Sequence, residues 1–597
     1  MVHPSPTAGA SPALSTAQHR LWLAARVEPD SFEFTVPWAA RVHGPLDTDA
    51  LAQAWRAVVS RHAELRLRVT ESAGEPGRGE WPVDQMAARI REIDPDDVDE
   101  ELRRAATRVF DLAGEPLAEL EILRVGPLEH VLLLTSHHIV TDGRSVHLIT
   151  TDLFRRYAGD PDTDTAGSAP SYVDYVAWEA TSSRPPADKV DARIEELRVP
   201  VVDRPLGLGE PRPVDGKRGA VVRVALDAAL WAAVRRVAGE LRTTPQVIGM
   251  AALGLTLRRY TDTPDIVLGS TMDTRTGAYA DTVGMFINPT PVRLRVEDDQ
   301  TVAELLGSAH RALLRAFTFR HLPFEELVRG LGSTPATGRT PVFQVLFNYV
   351  GGPAHLTGPG LDIAELEFPV EVSKYDLTMW LRGAGETAEL AAVYRAEQYT
   401  QEQIEQFTGH LRTVLAGMVA QPPMRVDEVP MLDPAEVERL TAFGDGGQVT
   451  GADTVVPVLV AEVAAAHPDR VAVIHADESL DYRDLHDWAA VVAQRLGEQG
   501  VGAGSTVGVL TERSAAMVAA VLGVLRSGAA YVPLDPAHPD ERVAAVLADA
   551  NARCVLVTDA TAAMVANTGL ATIRVDKERG APTQPLQAPP PGLSDAA

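Results

Sequence analysis

The chain has 597 residues, 45% of them hydrophobic and 23% charged, so it is long enough for several globular cores. Its 82 acidic residues outnumber its 55 lysines and arginines, and the formal net charge is -27. This balance argues against a nucleic-acid binder, because phosphate neutralisation needs an excess of basic side chains. The single cysteine, Cys554, excludes an internal disulfide. It lies in a predicted buried strand, where a thiol is expected to be inert.

No segment of the sequence has the pattern of an export signal or a membrane span. Residues 1–14 are rich in Pro, Ser, Ala and Gly, and they lack the charged start and apolar core of a signal peptide. The longest apolar stretch, residues 515–525, is too short to cross a bilayer. We therefore expect a flexible leader over 1–14, a cytoplasmic protein and no membrane partner.

The hydrophobic periodicity of the first third of the chain predicts alternating strands and helices. Ser15 or Thr16 is a candidate cap of a short first helix. The same reasoning predicts strands at 34–42, within 61–69 and at 131–134, helices at 47–62 and 146–157, and a helix and a strand within 98–124.

From about residue 200 the alternation begins again. Predicted strands lie at 221–226, 266–270, 292–296, 342–348 and 390–394, and predicted helices at 228–241, 245–260, 302–317 and 401–420; a charged helix at 188–197 precedes them. Two successive mixed α/β units of about 200 residues each suggest two lobes with a cleft between them.

A linker is predicted where prolines punctuate residues 421–434 and glycines are frequent in 444–451. Beyond it, helices and strands alternate strictly, which is typical of a parallel doubly wound sheet. The predicted helices are 456–466, 482–499, 515–527 and 542–551, and the predicted strands are 471–474, 506–510, 531–534 and 554–557. A proline-containing tail, 582–597, follows without apolar periodicity.

Reactive side chains concentrate in residues 135–145, directly after the predicted strand 131–134. The segment reads Thr-Ser-His-His-Ile-Val-Thr-Asp-Gly-Arg-Ser and precedes a predicted helix. A loop at the end of a strand is held by a rigid scaffold and can still face a cavity. The segment is therefore the best candidate for a functional site.

The sequence His137 to Gly143 resembles the HHxxxDG signature of condensation domains of nonribosomal peptide synthetases. Six further stretches resemble motifs of the same family in the same order, which makes a chance match implausible. They are Ser15 to Trp22 (SxAQxRLW), Arg61 to Arg66 (RHExLR), Tyr172 to Trp178 (YxDYAxW), Val283 to Asn288 (IGxFVN), His321 to Glu325 (HxxPFE) and Arg339 to Phe347 (RxPLFQVxF).

A second resemblance covers the last quarter of the chain. Residues 480–485 resemble the LTYxEL core of adenylation domains, and residues 525–536 resemble their LKAGxAYVPLDP motif. The family's phosphate loop with its lysine has no equivalent in this sequence. The resemblance therefore implies a partial adenylation domain, inactive as present.

Together these resemblances imply an α/β architecture. The fold expected is a two-lobed, chloramphenicol acetyltransferase-like condensation domain, followed by a truncated doubly wound adenylation-type subdomain. The expected boundaries are 1–14 for the leader, 15–180 and 181–430 for the two lobes, 431–451 for the linker and 452–597 for the partial adenylation domain.

The implied reaction is attack of a carrier-bound amine on a carrier-bound thioester, which gives an amide. A neutral His138 can accept a hydrogen bond or a proton from the amine. An isolated histidine after a strand would more often be a satisfied core residue, but the ordered motifs favour catalysis. Whether His138 removes the proton or only orients the amine is left open by the sequence.

The other residues of the signature are expected to support His138. Because neighbours on an extended segment point opposite ways, His137 is expected to pack or orient. Asp142 could relay a proton, but it is expected to fix the loop through a buried ion pair. The resemblance suggests Arg275 as its partner. Gly143 is expected to allow a tight turn and a close backbone approach.

Metal, thiol, serine and flavin chemistry have no support in the sequence. A metal site is the obvious rival for His137, His138, Asp142 and His147, but neighbouring histidines diverge and no HExxH or CxxC motif accompanies them. No directly bound cofactor is expected, because the resemblance implies substrates attached to the phosphopantetheine arms of carrier proteins. Arg144 stands where many relatives carry tryptophan, which leaves the subtype and donor preference open.

Two other functions are open alternatives to condensation: a non-catalytic docking or gatekeeping domain of the same fold, and epimerisation of a tethered peptide. Heterocyclisation is disfavoured because relatives that cyclise replace the first histidines with aspartate.

The expected partners are a donor carrier on another polypeptide and an acceptor carrier downstream. The chain itself is expected to be monomeric.

Overall fold

The computed structural model describes residues 14–160, 170–182, 185–198, 206–208, 216–332, 341–352, 356–447, 454–476 and 478–582. The chain divides into two compact units, Met1–Arg439 and Leu440–Ala597. The predicted leader, apart from Leu14, and the predicted tail from residue 583 onward lie outside the described residues. So do Arg339 and Thr340 of the last condensation motif.

The first part of unit one contains the predicted helices and strands, together with two strands, Glu75–Glu80 and Arg89–Glu92, that the periodicity did not predict. Its elements are α1 (Thr16–Val27), β1 (Thr35–His43), α2 (Thr48–Arg61), β2 (Leu67–Ser72), β3 (Glu75–Glu80), β4 (Arg89–Glu92), α3 (Val98–Ala106), β5 (Ala118–Gly126), β6 (Glu129–His137), α4 (Gly143–Tyr157), α5 (Tyr172–Ser182) and α6 (Ala187–Glu196).

Local capping chemistry explains where the helices of this part begin. Ser15 caps α1: its side chain accepts from the Gln18 backbone N–H, and the Gln18 side chain accepts from the Ser15 N–H. Asp47 and Asp142 cap α2 and α4 without a reciprocal bond: Asp47 accepts from the Asp49 and Ala50 N–H groups, and Asp142 accepts from the Ser145 N–H. The predicted cap at Ser15 is therefore confirmed.

A five-stranded sheet of order β11-β1-β6-β5-β4 forms the first half, with β11 at Asp362–Leu366. Helices α2 and α4 pack on one face around Trp55, Leu132 and Leu134, and α3 packs on the other face against Val131 and Leu133. Strand β6 is thus covered on both faces, which explains why its sequence is a continuous apolar run rather than an alternating one.

The remaining elements of unit one are again a mixture of helices and strands. They are β7 (Gly219–Leu226), α7 (Ala228–Glu240), α8 (Pro245–Thr261), β8 (Asp265–Asp273), β9 (Ile287–Arg295), α9 (Val302–Thr318), α10 (Phe324–Leu331), β10 (Val345–Gly351), β11, β12 (Leu377–Ala384), β13 (Thr387–Arg395) and α11 (Gln401–Ala420). Helix α12 (Pro434–Gly444) comes next in the chain.

A six-stranded mixed sheet organises this second half, in the order β7-β13-β12-β10-β8-β9. Strands β8, β10 and β12 run parallel, and the other pairs are antiparallel. Helices α7, α8, α9 and α11 cover one face with the largest buried cluster of the unit. The predicted second α/β half is therefore confirmed.

The two halves are not separate along the sequence. Strand β11 comes from the second half of the chain, but it pairs with β1 in the first sheet. Val283, also from the second half, belongs to the core of the first sheet. The lobe boundary at residue 180 remains a prediction, because sheet membership crosses it.

Unit two contains the predicted parallel sheet, of order β17-β16-β18-β19. Its elements are α13 (Val456–Ala466), β14 (Val471–His475), β15 (Glu478–Asp481), α14 (Tyr482–Glu498), β16 (Thr506–Leu510), α15 (Ala515–Arg526), β17 (Ala530–Leu534), α16 (Asp540–Asp549), β18 (Cys554–Val557) and β19 (Ala571–Arg574).

One strand of unit two departs from the predicted alternation. Strand β14 does not join the parallel sheet but forms an antiparallel hairpin with β15. A connection of two residues is too short for a crossover helix, so only antiparallel pairing is available. Cys554 in β18 is buried, as predicted, and burial raises the pKa of its thiol to about 11.

None of the helices in the described part of the chain combines the length and apolar character needed to cross a bilayer.

Two glycines of unit one provide a test of the packing. A Cβ at Gly269 in β8 would lie 2.1 Å from the buried Phe343 ring, whereas a Cβ at Gly239 in α7 would meet no atom within 4 Å. We expect Gly269→Ala to lower the free energy of unfolding by about 1–3 kcal/mol through overpacking. Gly239→Ala should raise it by up to about 1 kcal/mol through helix propensity. Denaturant unfolding checks both, and shifts in the same direction would contradict the packing described.

Candidate active site

The candidate site is the loop between β6 and α4, which carries His138. His137 ends β6, and Asp142 caps α4. The backbone N–H of His138 donates to the Phe34 carbonyl oxygen at 2.7 Å, and that of His137 donates to the Leu117 carbonyl oxygen at 2.9 Å. The loop is therefore held from both sides by backbone hydrogen bonds.

The side chain of His138 is fixed in one tautomer. Its Nδ1 lies 2.7 Å from the Thr141 carbonyl oxygen, which can only accept a hydrogen bond. Nδ1 must therefore carry the proton, and Nε2 of the neutral ring keeps its lone pair. His138 is half-buried, and burial together with the charge of Lys374 lowers its pKa to about 4. The ring is accordingly neutral at pH 7.

His137 has a different environment from its neighbour. Its ring packs edge-on against Phe110 at 5.9 Å and lies 6.3 Å from the Phe34 ring. Its Nδ1 accepts a hydrogen bond from the Ile139 N–H at 3.1 Å. Burial, with the nearby charges of His138 and Lys374, lowers its pKa to about 3. His137 is therefore surrounded by aromatic packing contacts, and its supporting role stays a prediction.

The carboxylate of Asp142 makes four hydrogen bonds in a fully buried position. It accepts from the Ser145 N–H at 2.7 Å, from the Phe286 N–H at 3.1 Å and from two guanidinium nitrogens of Arg275 at 2.8 and 2.9 Å. The pairing with Arg275 expected from the sequence is therefore present. Bidentate geometry of this kind is the strong form of the carboxylate–guanidinium contact.

Arg275 is held as firmly as its partner. Its Nη2 donates to Ser145 Oγ at 2.7 Å, its Nε donates to the Thr282 carbonyl oxygen at 3.2 Å, and its guanidinium lies 4.0 Å from the Phe286 ring centroid. Since Arg275 follows β8 and Asp142 follows β6, the pair ties the two sheets of the unit together.

The reason predicted for Gly143 is not supported by its geometry. Gly143 has no positive φ, so the turn does not require glycine. A Cβ there would meet no heavy atom within 4 Å, so no part of the described protein excludes a side chain. Gly143 is exposed, and the space beside it is open. Close approach by a substrate remains a prediction for this position.

A buried polar network behind the loop was not recognised in the sequence. The Gln18 side-chain amide donates to the Ile139 carbonyl oxygen at 2.9 Å and to Glu64 at 2.5 Å. Arg78 contacts both Gln18 and Glu64. Gln18 and Glu64 belong to the SxAQxRLW and RHExLR stretches, but only their positions in three dimensions reveal the contact with the loop.

Lys374 was also missed, because it lies more than 200 residues from the histidines in the sequence. It precedes β12, and its ammonium nitrogen lies 4.0 Å from the Phe34 ring centroid. Burial lowers its pKa to about 8, partly offset by the negative charge of Glu33. No local spacing pattern links this lysine to residues 135–145.

The other candidate positions lie outside this arrangement. Arg144 is exposed, and its Nε donates to the Ala280 carbonyl oxygen at 2.9 Å. His147 is exposed on α4. Within the described residues, no three His, Cys, Asp or Glu side chains form a group that could hold a metal ion.

Two protein-family models match this chain. A family model of the condensation domain matches residues 11–441, and one of AMP-binding enzymes matches residues 460–593. The chain belongs to the condensation domain family. The predicted fold class, a condensation domain followed by an adenylation-type region, is thereby confirmed.

The known proteins that are similar to this chain include peptide synthetases. It is 30% identical over 567 residues to a linear gramicidin synthase of Brevibacillus parabrevis, covering 91% of this chain and 11% of that protein. A holo four-domain nonribosomal peptide synthetase bound to AMP and glycine superposes with a TM-score of 0.72 at 19% identity, covering 97% of this chain and 46% of that one. The X-domain from teicoplanin biosynthesis, in its complex with OxyB, superposes with a TM-score of 0.61 at 23% identity, covering 72% of this chain and 99% of that one. The chain thus spans only part of the synthetases it matches.

The buried pair Asp142–Arg275 gives a prediction about stability. We expect Asp142→Ala to lower the free energy of unfolding of unit one by about 3 kcal/mol, because it leaves the buried Arg275 with the partly exposed Asp273, 3.2 Å away, in place of its bidentate partner. Arg144→Ala is the control: Arg144 and Asp281 lie 3.8 Å apart and are 48% and 76% exposed, so the cost should stay under about 1 kcal/mol. Thermal and denaturant unfolding measure both variants. Equal losses of unfolding free energy in the two variants would show that the buried pair stabilises the unit no more than the exposed one.

Proposed function

We propose that this chain catalyses amide formation between a carrier-bound acyl or peptidyl thioester and a carrier-bound aminoacyl group. The observation that carries the proposal is the fixed tautomer of His138, which leaves a neutral ring with Nε2 as an acceptor. An amine that attacks a thioester must be unprotonated and aimed, and an acceptor of this kind can orient its N–H. The Asp142–Arg275 pair and Gln18 hold the loop that aims the ring.

The low basicity of His138 favours one of the two roles left open by the sequence. A ring with a pKa of about 4 is a weak proton acceptor at neutral pH. We therefore assign His138 to orienting the amine through a hydrogen bond at Nε2 rather than to storing its proton. Asp142 is a positioning residue in this scheme, since its carboxylate is already occupied by four donors.

The partners follow from the reaction. Both substrates would arrive as thioesters on phosphopantetheine arms, one on a donor carrier and the other on an acceptor carrier. No cofactor is assigned to unit one itself. The match to synthetases supports this proposal, because the similarity to the linear gramicidin synthase extends over 91% of the present chain.

A docking domain without catalysis is the second candidate. The observation in its favour is the likeness in fold to the X-domain, whose structure was solved in complex with OxyB. A docking surface, however, has no need of a half-buried imidazole held in one tautomer. The geometry of the His138 loop therefore favours catalysis.

Substitution of His138 tests the proposal. We expect His138→Ala to lower the rate of product formation by about 10²-fold or more, because the attacking amine loses the hydrogen bond that orients it. The full chain is mixed with loaded donor and acceptor carriers, and product on the intact carriers is measured by mass spectrometry.

His147→Ala is the matched control, because His147 is exposed and lies only nine residues further along the chain. It should retain the rate within about twofold. Unchanged product formation by His138→Ala would contradict the catalytic assignment. Absence of product with every carrier pair would favour the docking function.

The pKa of His138 predicts the pH dependence. Since the ring must be neutral, activity is present above the pKa of about 4 and is lost as the pH falls through it. Rates corrected for ionisation of the acceptor amine should therefore be flat between pH 5.5 and 7.5. An inflection near the ordinary histidine value of about 6.5 would contradict the environment described for His138.

A further inference from the structure

The reaction proposed above creates a negative charge that His138 cannot stabilise. As the amine nitrogen bonds to the thioester carbon, the carbonyl electron pair moves to oxygen and forms an oxyanion. The Nδ1 proton of His138 is engaged by Thr141, and its Nε2 has no proton to donate. A donor or a positive charge must therefore come from elsewhere.

Lys374 carries a positive charge at the edge of the site. Its ammonium nitrogen lies 4.0 Å from the centroid of the Phe34 ring, and the carbonyl oxygen of Phe34 accepts the His138 N–H at 2.7 Å. The charge of Lys374 acts on both His137 and His138, and on His138 its effect exceeds that of Asp142.

The ammonium group of Lys374 differs from that of neighbouring Lys217. Lys217 contacts Glu28 at 2.6 Å and Glu33 at 2.7 Å, so its charge is balanced. For Lys374, no hydrogen bond or ion pair of the Nζ atom is found among the described residues; its contact there is the Phe34 ring. An aromatic face stabilises a cation without using its hydrogen-bond donors. The three N–H groups of Lys374 thus remain available.

We propose that Lys374 is the cation that stabilises the oxyanion of the tetrahedral intermediate. This inference rests on the proposed function. The oxyanion then re-forms the carbonyl as the C–S bond breaks, and the departing sulfur takes up the proton that the amine releases. Lys374 keeps its proton throughout, so it acts only by charge and hydrogen bonding.

The surrounding charges set the pH at which Lys374 is effective. Glu33 favours its protonated form, whereas Arg20 and Lys217 disfavour it, and His137 and His138 are neutral near pH 7. With a pKa of about 8, Lys374 is mostly charged at neutral pH and loses its charge in mildly alkaline solution. Rates corrected for ionisation of the acceptor amine should therefore fall as the pH rises above 8.

Three variants test Lys374 in the full chain with the loaded carriers used for His138. Lys374→Met should lower kcat by about 10²–10³-fold with little change in KM, as removal of one oxyanion donor does. Lys374→Arg should retain much of the rate and lose the fall above pH 8, because a guanidinium stays charged. Lys217→Met, which removes a paired lysine, should stay within about twofold at pH 7.

A titration independent of turnover completes the test. The imidazole pKa of His138, followed by NMR in the substrate-free chain, should rise in Lys374→Met, because a nearby positive charge has been removed. An unchanged His138 pKa, a Lys374→Met rate within twofold of the original, or a fall above pH 8 that persists in Lys374→Arg would each overturn the proposal. Failure of His138→Ala to affect the rate would instead count against the proposed function.

Discussion

The buried ion pair between Asp142 and Arg275 is the interaction on which the rest of the site depends. Asp142 caps α4 and Arg275 follows β8, so the pair joins the loop after one sheet to the end of a strand in the other. Breaking such a pair removes the bidentate partner of a buried charge, which is far more costly than losing a surface contact. The loop is therefore held in one position, and this fixes the position of the His138 ring.

The hydrogen bonds around this pair occupy the Asp142 carboxylate and hold the loop in place. Every lone-pair direction of the Asp142 carboxylate is used by a donor other than His138. On the opposite side, the amide of Gln18 fixes the Ile139 carbonyl, and Glu64 and Arg78 fix Gln18. A fully satisfied buried network specifies one arrangement. Precise placement is what an orienting residue needs, more than high basicity.

Much of the fold could be predicted from the sequence because its signals are local. The bounds predicted for the helix 401–420 and the strand 554–557 agree with α11 and β18 to the residue. The loop after β6 was also located correctly, since an apolar run followed by polar residues marks a strand end. Strand β11 could not be placed in the first sheet, because β-pairing across hundreds of residues leaves no periodic trace in the sequence. The hairpin of β14 and β15 was missed because its connection is short and inconspicuous.

Lys374 illustrates the same limit at the site, and its environment explains why it matters. Among the described residues the half-buried Lys374 ammonium has no oxygen partner, so its lost hydration is replaced only in part, by the Phe34 ring and the negative charge of Glu33. A methionine of similar length would fill the space without that loss. The free-energy cost of placing a charged lysine here is consistent with a function that needs its positive charge. The Nε2 atom of the neutral His138 ring can only accept a hydrogen bond, so the site also needs a donor for the developing negative charge. The ammonium group of Lys374 can supply it.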